Sequence, residues 1–221
     1  MIPEQTVTLA SGDGAVLDAR LGLPPGARAG IAICHPHPLY GGDMDNPVVR
    51  EAAEACAAEG LATLRFNFRG VGGSTGLHDG GRAEQRDLAA ALDHLAALIG
   101  RGTVAAAGYS FGAMVTAAVA ATRPDLCGVA LIAPTLAVAA GRLDGLTSVS
   151  ASLLIVAGRH DDHCPPERLA ALAKDLPLAE VRVIDGADHF FGGALVPLGE
   201  AVRAWARALG PRDTLGRGRP G

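Results

Sequence analysis

Six short apolar runs, separated by helical or polar stretches, constrain this chain more than anything else in it. They are Gly30-Ile-Ala-Ile-Cys34, Leu61-Ala-Thr-Leu-Arg-Phe66, Val104-Ala-Ala-Ala107, Gly128-Val-Ala-Leu-Ile132, Leu153-Leu-Ile-Val-Ala157 and Val181-Arg-Val-Ile184. Runs this short are strands rather than helices, and those that are apolar nearly throughout suit strands covered on both sides. Strands alternating with helices imply a mostly parallel, twisted sheet with helices on both faces. Ahead of the runs, Gln5–Leu9 and Ala15–Leu21 flank Ser-Gly-Asp-Gly, which reads as a hairpin at one edge.

Helices fill the gaps. Asn46 followed by Pro47 supplies a cap and a first-turn proline, Val48, Val49, Ala52 and Cys56 make an apolar face, and Gly60 ends the segment. Leu88, Leu92, Leu95 and Ile99 make a second stripe, and Ala201, Val202, Trp205 and Leu209 the last. No proline- or serine-rich linker divides the 221 residues, so residues 1–210 are read as one domain. Residues 211–221 are polar, glycine-rich and aperiodic, and are expected to form a flexible tail.

Open α/β sheets place ligands beyond the carboxyl ends of their strands. There the third apolar run passes through Gly108-Tyr-Ser110-Phe-Gly112 into an alanine-rich helical pattern. Gly-x-Ser-x-Gly in a strand-to-helix context is a nucleophile elbow, whose flanking glycines avoid collision with the neighbouring strand and helix. In a chain with 30 glycines the pattern also arises by chance, and Gly72-Gly-Ser74-Thr-Gly76 is a second copy. That copy has no strand in register before it and no helix directly after it, so Ser74 is read as a loop residue and Ser110 as the nucleophile.

A serine hydroxyl needs a histidine base, and the base needs a carboxylate to hold its tautomer. The loop after Leu153–Ala157 offers Asp161 and Asp162, and the loop after Val181–Ile184 offers Asp185, Asp188 and His189. Ser110, Asp161, His189 is the chain order expected of an α/β-hydrolase sheet. Asp185 and Asp188 are too close in sequence to His189 to face its ring easily, and Asp162 is read as a solvated loop charge.

An oxyanion hole takes one amide from the residue after the nucleophile, Phe111, and one from the loop after the strand Gly30–Cys34. In that loop, His35-Pro-His-Pro-Leu-Tyr40-Gly-Gly42, the prolines lack an N–H. His37 is the preferred second donor and Leu39 the next, while His35 is read as a structural anchor. A rival use of His35, His37, His160, Asp161 and His163 is a metal site, but no zinc-hydrolase spacing is present. No metal or cofactor is therefore expected.

The net charge of −4, scattered positive residues, and one Trp, two Tyr and five Phe argue against a nucleic-acid partner. No basic segment followed by an apolar core opens the chain and no 18 apolar residues run together, so no membrane partner is expected and the cytoplasm is the expected location. Cys34, Cys56, Cys127 and Cys164 form no Cys-x-x-Cys pair and are read as reduced, partly buried thiols. A homodimer, through an edge strand or the last helix, is left open.

Across residues 5–209 these features resemble the α/β-hydrolase superfamily. Within it, His-Pro-His-Pro with Gly-Gly and Met-Asp-Asn (His35 to Asn46), and Arg-Phe-Asn-Phe-Arg-Gly-x-Gly-x-Ser-x-Gly (Arg65 to Gly76), resemble small lidless bacterial serine hydrolases of esterase and dienelactone-hydrolase-like type. The resemblance implies Ser110, Asp161 and His189 as triad and a carboxylesterase-type activity, and it makes Ser74 part of a structural loop. The dienelactone-hydrolase-like proteins commonly use a cysteine nucleophile, from which this chain departs. Ile132 and Leu153 are too close in sequence for a cap domain between them. The site is expected to be open and lined by Leu39, Tyr40, Phe111, Leu136, Phe190 and Phe191, of which Tyr40, Leu136 and Phe190 are the proposed substrate contacts. The expected function is cleavage of a small-molecule ester or thioester through an acyl-enzyme. The alternatives are an amidase or peptidase, a pathway-specific tailoring hydrolase, and a non-catalytic binding protein on the same fold. With serine at position 110, the aspartate nucleophile of dehalogenases and epoxide hydrolases is absent.

Overall fold

Side-chain alternation builds the sheet. In the strand β3 (Ala29–Cys34), Ile31 and Ile33 point into one apolar layer while Ala32 and Cys34 point into the other, as the two-residue period of a strand requires. A computed structural model describes residues 2–100, 103–136 and 143–209. Before β3 come β1 (Glu4–Ala10) and β2 (Val16–Gly22), the antiparallel edge hairpin, paired from Glu4 with Gly22 to Ala10 with Val16. After it come β4 (Ala62–Phe66), β5 (Thr103–Tyr109), β6 (Gly128–Ile132), β7 (Ser152–Gly158) and β8 (Ala179–Ile184). The sheet order is β1-β2-β4-β3-β5-β6-β7-β8, parallel from β4 to β8.

Two helices cover one face. They are α1 (Pro47–Ala58), whose Asn46 cap accepts from the Val48 N–H at 3.0 Å, and α5 (Leu195–Arg207). Val48, Val49 and Cys56 of α1 share a buried layer with Leu198, Val202 and Trp205 of α5. Leu209, read as the end of that stripe, is buried just beyond the helix. The other face carries α2 (Glu84–Ile99), α3 (Phe111–Ala120) and α4 (Pro166–Asp175), which contribute Leu88, Leu92, Met114, Val115 and Leu169 to the second layer.

β5 lies mid-sheet, and its Ala105, Ala106 and Ala107 present only methyl groups to the two layers. Its last residue, Tyr109, therefore delivers Ser110 to the carboxyl end of the sheet at the middle of the molecule. No large cap interrupts the fold among the described residues; part of the short connection between β6 and β7, residues 137–142, lies outside them, as does the expected tail 211–221. No described helix is long and apolar enough to cross a membrane. The four cysteines are free thiols, and Cys34, Cys56 and Cys164 are buried.

Candidate active site

The backbone at Ser110 is left-handed, with φ 56° and ψ −113°, a conformation a non-glycine residue adopts only where its surroundings impose it. The surroundings are glycines. A Cβ on Gly108 would lie 2.2 Å from the Gly112 carbonyl oxygen, and a Cβ on Gly112 would lie 2.6 Å from the carbonyl oxygens of both Cys34 and His35. The motif glycines thus let the start of α3 press against the ends of β5 and β3. Ser110 occupies the cap position of α3 without using its hydroxyl as a cap. That hydroxyl is free for other chemistry.

It finds His189. Ser110 Oγ is 3.0 Å from His189 Nε2, and His189 Nδ1 is 2.9 Å from both carboxylate oxygens of Asp161. The network fixes the tautomer: Nδ1–H donates to Asp161, leaving Nε2 to accept from the serine hydroxyl. Asp161 is held in turn by the N–H groups of His163 at 2.8 Å and Cys164 at 2.9 Å. Burial pushes the Asp161 carboxyl upward, but the His189 bond and these two N–H groups outweigh it and hold its pKa below the usual value. A buried carboxylate that stays charged is what an imidazole needs as it becomes an imidazolium.

The loop after β3 folds into a short 3-10 turn, Pro38–Tyr40. The His37 ring nitrogen Nδ1 accepts the Leu39 N–H at 3.2 Å, and the N–H groups of Tyr40 and Gly42 both donate to the His37 carbonyl at 3.1 Å. The Leu39 amide is thus already engaged within its own loop. The N–H groups of His37 and Phe111 donate to nothing among the described residues. His35 anchors this loop: Nδ1–H donates to the Pro36 carbonyl at 2.6 Å and Nε2 accepts from the Phe68 N–H at 3.0 Å. Burial lowers its pKa to about 4, so it is a neutral structural group at ordinary pH.

The expected lining residues divide. Leu39, Tyr40 and Phe190 are 71%, 87% and 70% exposed and stand on the rim, with the Tyr40 ring against His37 and the Phe190 ring edge-on to His189. Phe111 lies below them, its ring 4.9 Å from that of His37. Phe191 does not line the site. Its backbone is left-handed, φ 54°, which turns the ring inward against Tyr109 and into the core, where it is fully buried. Leu136 packs against the core layer of α2 and α3, and no described contact brings it to Ser110 or His189.

Three residues near the site are not legible in the sequence as part of it, His163 entering there only as a candidate metal ligand. The His163 ring packs tilted against that of His189, with centroids 4.5 Å apart. His78, delivered by the loop after β4, lies 5.0 Å from the His37 ring and 5.3 Å from Phe111, with its Nδ1 2.7 Å from the buried carboxylate of Glu84. Tyr109 donates its phenolic hydrogen to the His189 carbonyl at 2.9 Å. All three depend on loops meeting across the sheet end. Among the described residues no group of three or more His, Cys, Asp or Glu is arranged to hold a metal ion. Burial raises the Cys56 and Cys164 thiols to about 12, so neither supplies a thiolate nucleophile. A groove of about 490 Å³ between the hairpin and α1, lined by Glu4, Arg50, Glu54 and Arg65, shares no residue with the site.

This fold and this site define a lidless α/β serine hydrolase. The chain belongs to the X-Pro dipeptidyl-peptidase (S15) family, whose model matches residues 13–164. It is 32% identical over 191 residues to the uncharacterized protein RP471 of Rickettsia prowazekii, covering 79% of this chain and 77% of that protein. Among solved structures it is similar to an α/β serine hydrolase homologue from Coxiella burnetii, with 34% identity, TM-score 0.84, and 92% and 97% of the two chains covered. It is similar as well to XC6422 from Xanthomonas campestris, an α/β serine hydrolase without lid, with 32% identity, TM-score 0.83, and 96% and 98% covered.

Proposed function

We propose that this hydrolase cleaves a carboxylic ester or thioester through an acyl-enzyme. Ser110 is the nucleophile, His189 the base and then the acid, Asp161 the group that orients His189, and the N–H groups of Phe111 and His37 the oxyanion donors. One observation carries the reading: the unbroken line from Ser110 Oγ through His189 to Asp161, with contacts of 3.0 and 2.9 Å. Oγ attacks the acyl carbon as its proton passes to Nε2, and the new negative charge collects against the two amides. Collapse expels the alcohol or thiol, which takes the proton from Nε2. Water then repeats the sequence on the acyl-serine and regenerates the hydroxyl.

The rim favours small or protruding acyl groups, since Leu39, Tyr40 and Phe190 are exposed and no cap among the described residues encloses them. A second reading, peptidase action, draws on the match to the S15 model. An amine leaving group must take a proton from His189 before the C–N bond breaks, whereas a phenolate leaves without that help.

The test is hydrolysis of p-nitrophenyl esters of increasing chain length beside Xaa-Pro p-nitroanilides. Wild type is expected to cleave the short esters faster, and Ser110→Ala to lose at least about 10³-fold in kcat/KM with an unchanged fold. Faster cleavage of the anilides would select the peptidase reading. A wild type that neither cleaves any of these substrates nor reacts with a fluorophosphonate would overturn both.

A further inference from the structure

We infer that Tyr109 is a positioning residue: its phenolic O–H, donated to the backbone carbonyl of His189, fixes the loop that presents the base to the nucleophile. The inference rests on Ser110 and His189 being nucleophile and base, and the distances carry it. The bond is 2.9 Å long, buried, and joins residues 80 apart in sequence. Tyr109 is the residue immediately before Ser110, so the peptide that fixes the nucleophile also carries the group that grips the base. No other described group donates to the His189 carbonyl.

The loop needs holding. It runs from Asp185 through Gly186, His189 and the left-handed Phe191 to Gly193, a stretch without helix or strand. On one side the Ala187 carbonyl accepts the His160 N–H at 2.9 Å, tying the loop to the segment that carries Asp161. On the other side Tyr109 is the tie to the elbow. Its ring also packs 5.7 Å from that of His189 and 6.3 Å, edge-on, from Phe191. The phenol stays a donor through the working range, because burial and the charges of Asp161 and Asp188 hold its pKa well above the ordinary phenol value. His189 is thus located by three bonds: one on its carbonyl and two on its ring. The ring bonds change during the reaction, as Nε2 gains and returns a proton; the carbonyl bond does not. It is the fixed reference against which the ring works, and misplacement of reacting groups by a fraction of an ångström is costly.

The experiment is Tyr109→Phe, which keeps the ring and removes the hydroxyl. Trp205→Phe serves as the comparison, since Trp205 Nε1–H donates to Ser152 Oγ at 3.1 Å at the opposite end of β7. Both are assayed for kcat, KM, thermal midpoint and the low-field proton resonance of the His189 Nδ1–H. Tyr109→Phe is expected to lower kcat roughly tenfold with KM within about twofold, and to broaden or shift the low-field resonance. Trp205→Phe is expected to lower the midpoint with kcat and the resonance intact. A Tyr109→Phe protein that resembles Trp205→Phe in all four readouts would overturn the inference. So would one that fails to fold, since the hydroxyl would then hold the fold and not the loop. Should the wild type prove inactive, the hydrolase reading falls by that result, and the resonance alone still decides whether Tyr109 places His189.

Discussion

The chain contains two Gly-x-Ser-x-Gly segments, and the structure gives their serines opposite fates. Ser110 has a strained backbone, a hydroxyl left out of its own helix cap, and a histidine 3.0 Å away. Ser74 is also buried, yet its hydroxyl is fully used: it donates to the Asn67 carbonyl at 2.8 Å and accepts the Asp18 N–H at 2.9 Å, pinning the loop after β4 to the edge hairpin. A backbone N–H and a backbone carbonyl make a good structural bond but cannot take up a proton as an imidazole can. What separates the proposed nucleophile from a fastener that shares its Gly-x-Ser-x-Gly pattern is therefore the strand before it and the partners the fold brings, not the pattern itself.

The sharpest way to break the comparison is at the glycines of the elbow. Gly108→Ala must force apart two backbones already in contact and is expected to cost upwards of about 3 kcal/mol, giving little soluble protein by expression and circular dichroism. A well-folded Gly108→Ala would show that the elbow is slack. Next comes His35, which ties the segment carrying the His37 amide to the strand exit that leads to Ser74. Its folded pKa of about 4 lies below the unfolded value of 6.5, so between the two the unfolded chain binds a proton that the fold refuses. Its contribution is complete above pH about 6.5 and lost as pH falls toward 4, by about 3 kcal/mol in all. Urea midpoints measured from pH 7 down to 4 are expected to fall more steeply for wild type than for His35→Gln; parallel profiles would count against the buried neutral imidazole. The smallest effect is at the other serine. Ser74→Ala is expected to cost about 1–2 kcal/mol in thermal or urea unfolding while ester hydrolysis stays within about twofold. A large loss of activity there, with stability intact, would erase the distinction between the two segments.

Much of the fold was legible because its central strands are buried on both faces, and such strands announce themselves as largely apolar runs; all six runs, including the one in the half-buried edge strand β8, lie within observed strands or overlap them almost completely. α4 went unread, since only Leu169 of its residues is fully buried and its apolar stripe is correspondingly thin. The residues that meet as Ser110, His189 and Asp161 could be picked out because each lies in the short segment after a strand. The sequence does not choose between His37 and Leu39 as the proposed second oxyanion amide, since the choice turns on a side chain capturing a neighbour's N–H. Phe190 and Phe191 show the same limit: adjacent aromatic residues look alike in sequence, and a single left-handed residue sends one to the rim and the other to the core.

The exposure of Leu39, Tyr40 and Phe190 has an evolutionary consequence. Side chains that contribute so little to the packed interior can be exchanged with small effect on stability, whereas the groups beneath them, Phe111, His35 and Tyr109, are locked into the core. If the proposed rim contacts the substrate, substrate preference and foldability are encoded in different residues. On the proposed reading, a lineage carrying this scaffold can drift from one acyl group to another by surface mutation alone, without first acquiring a compensating change in its core.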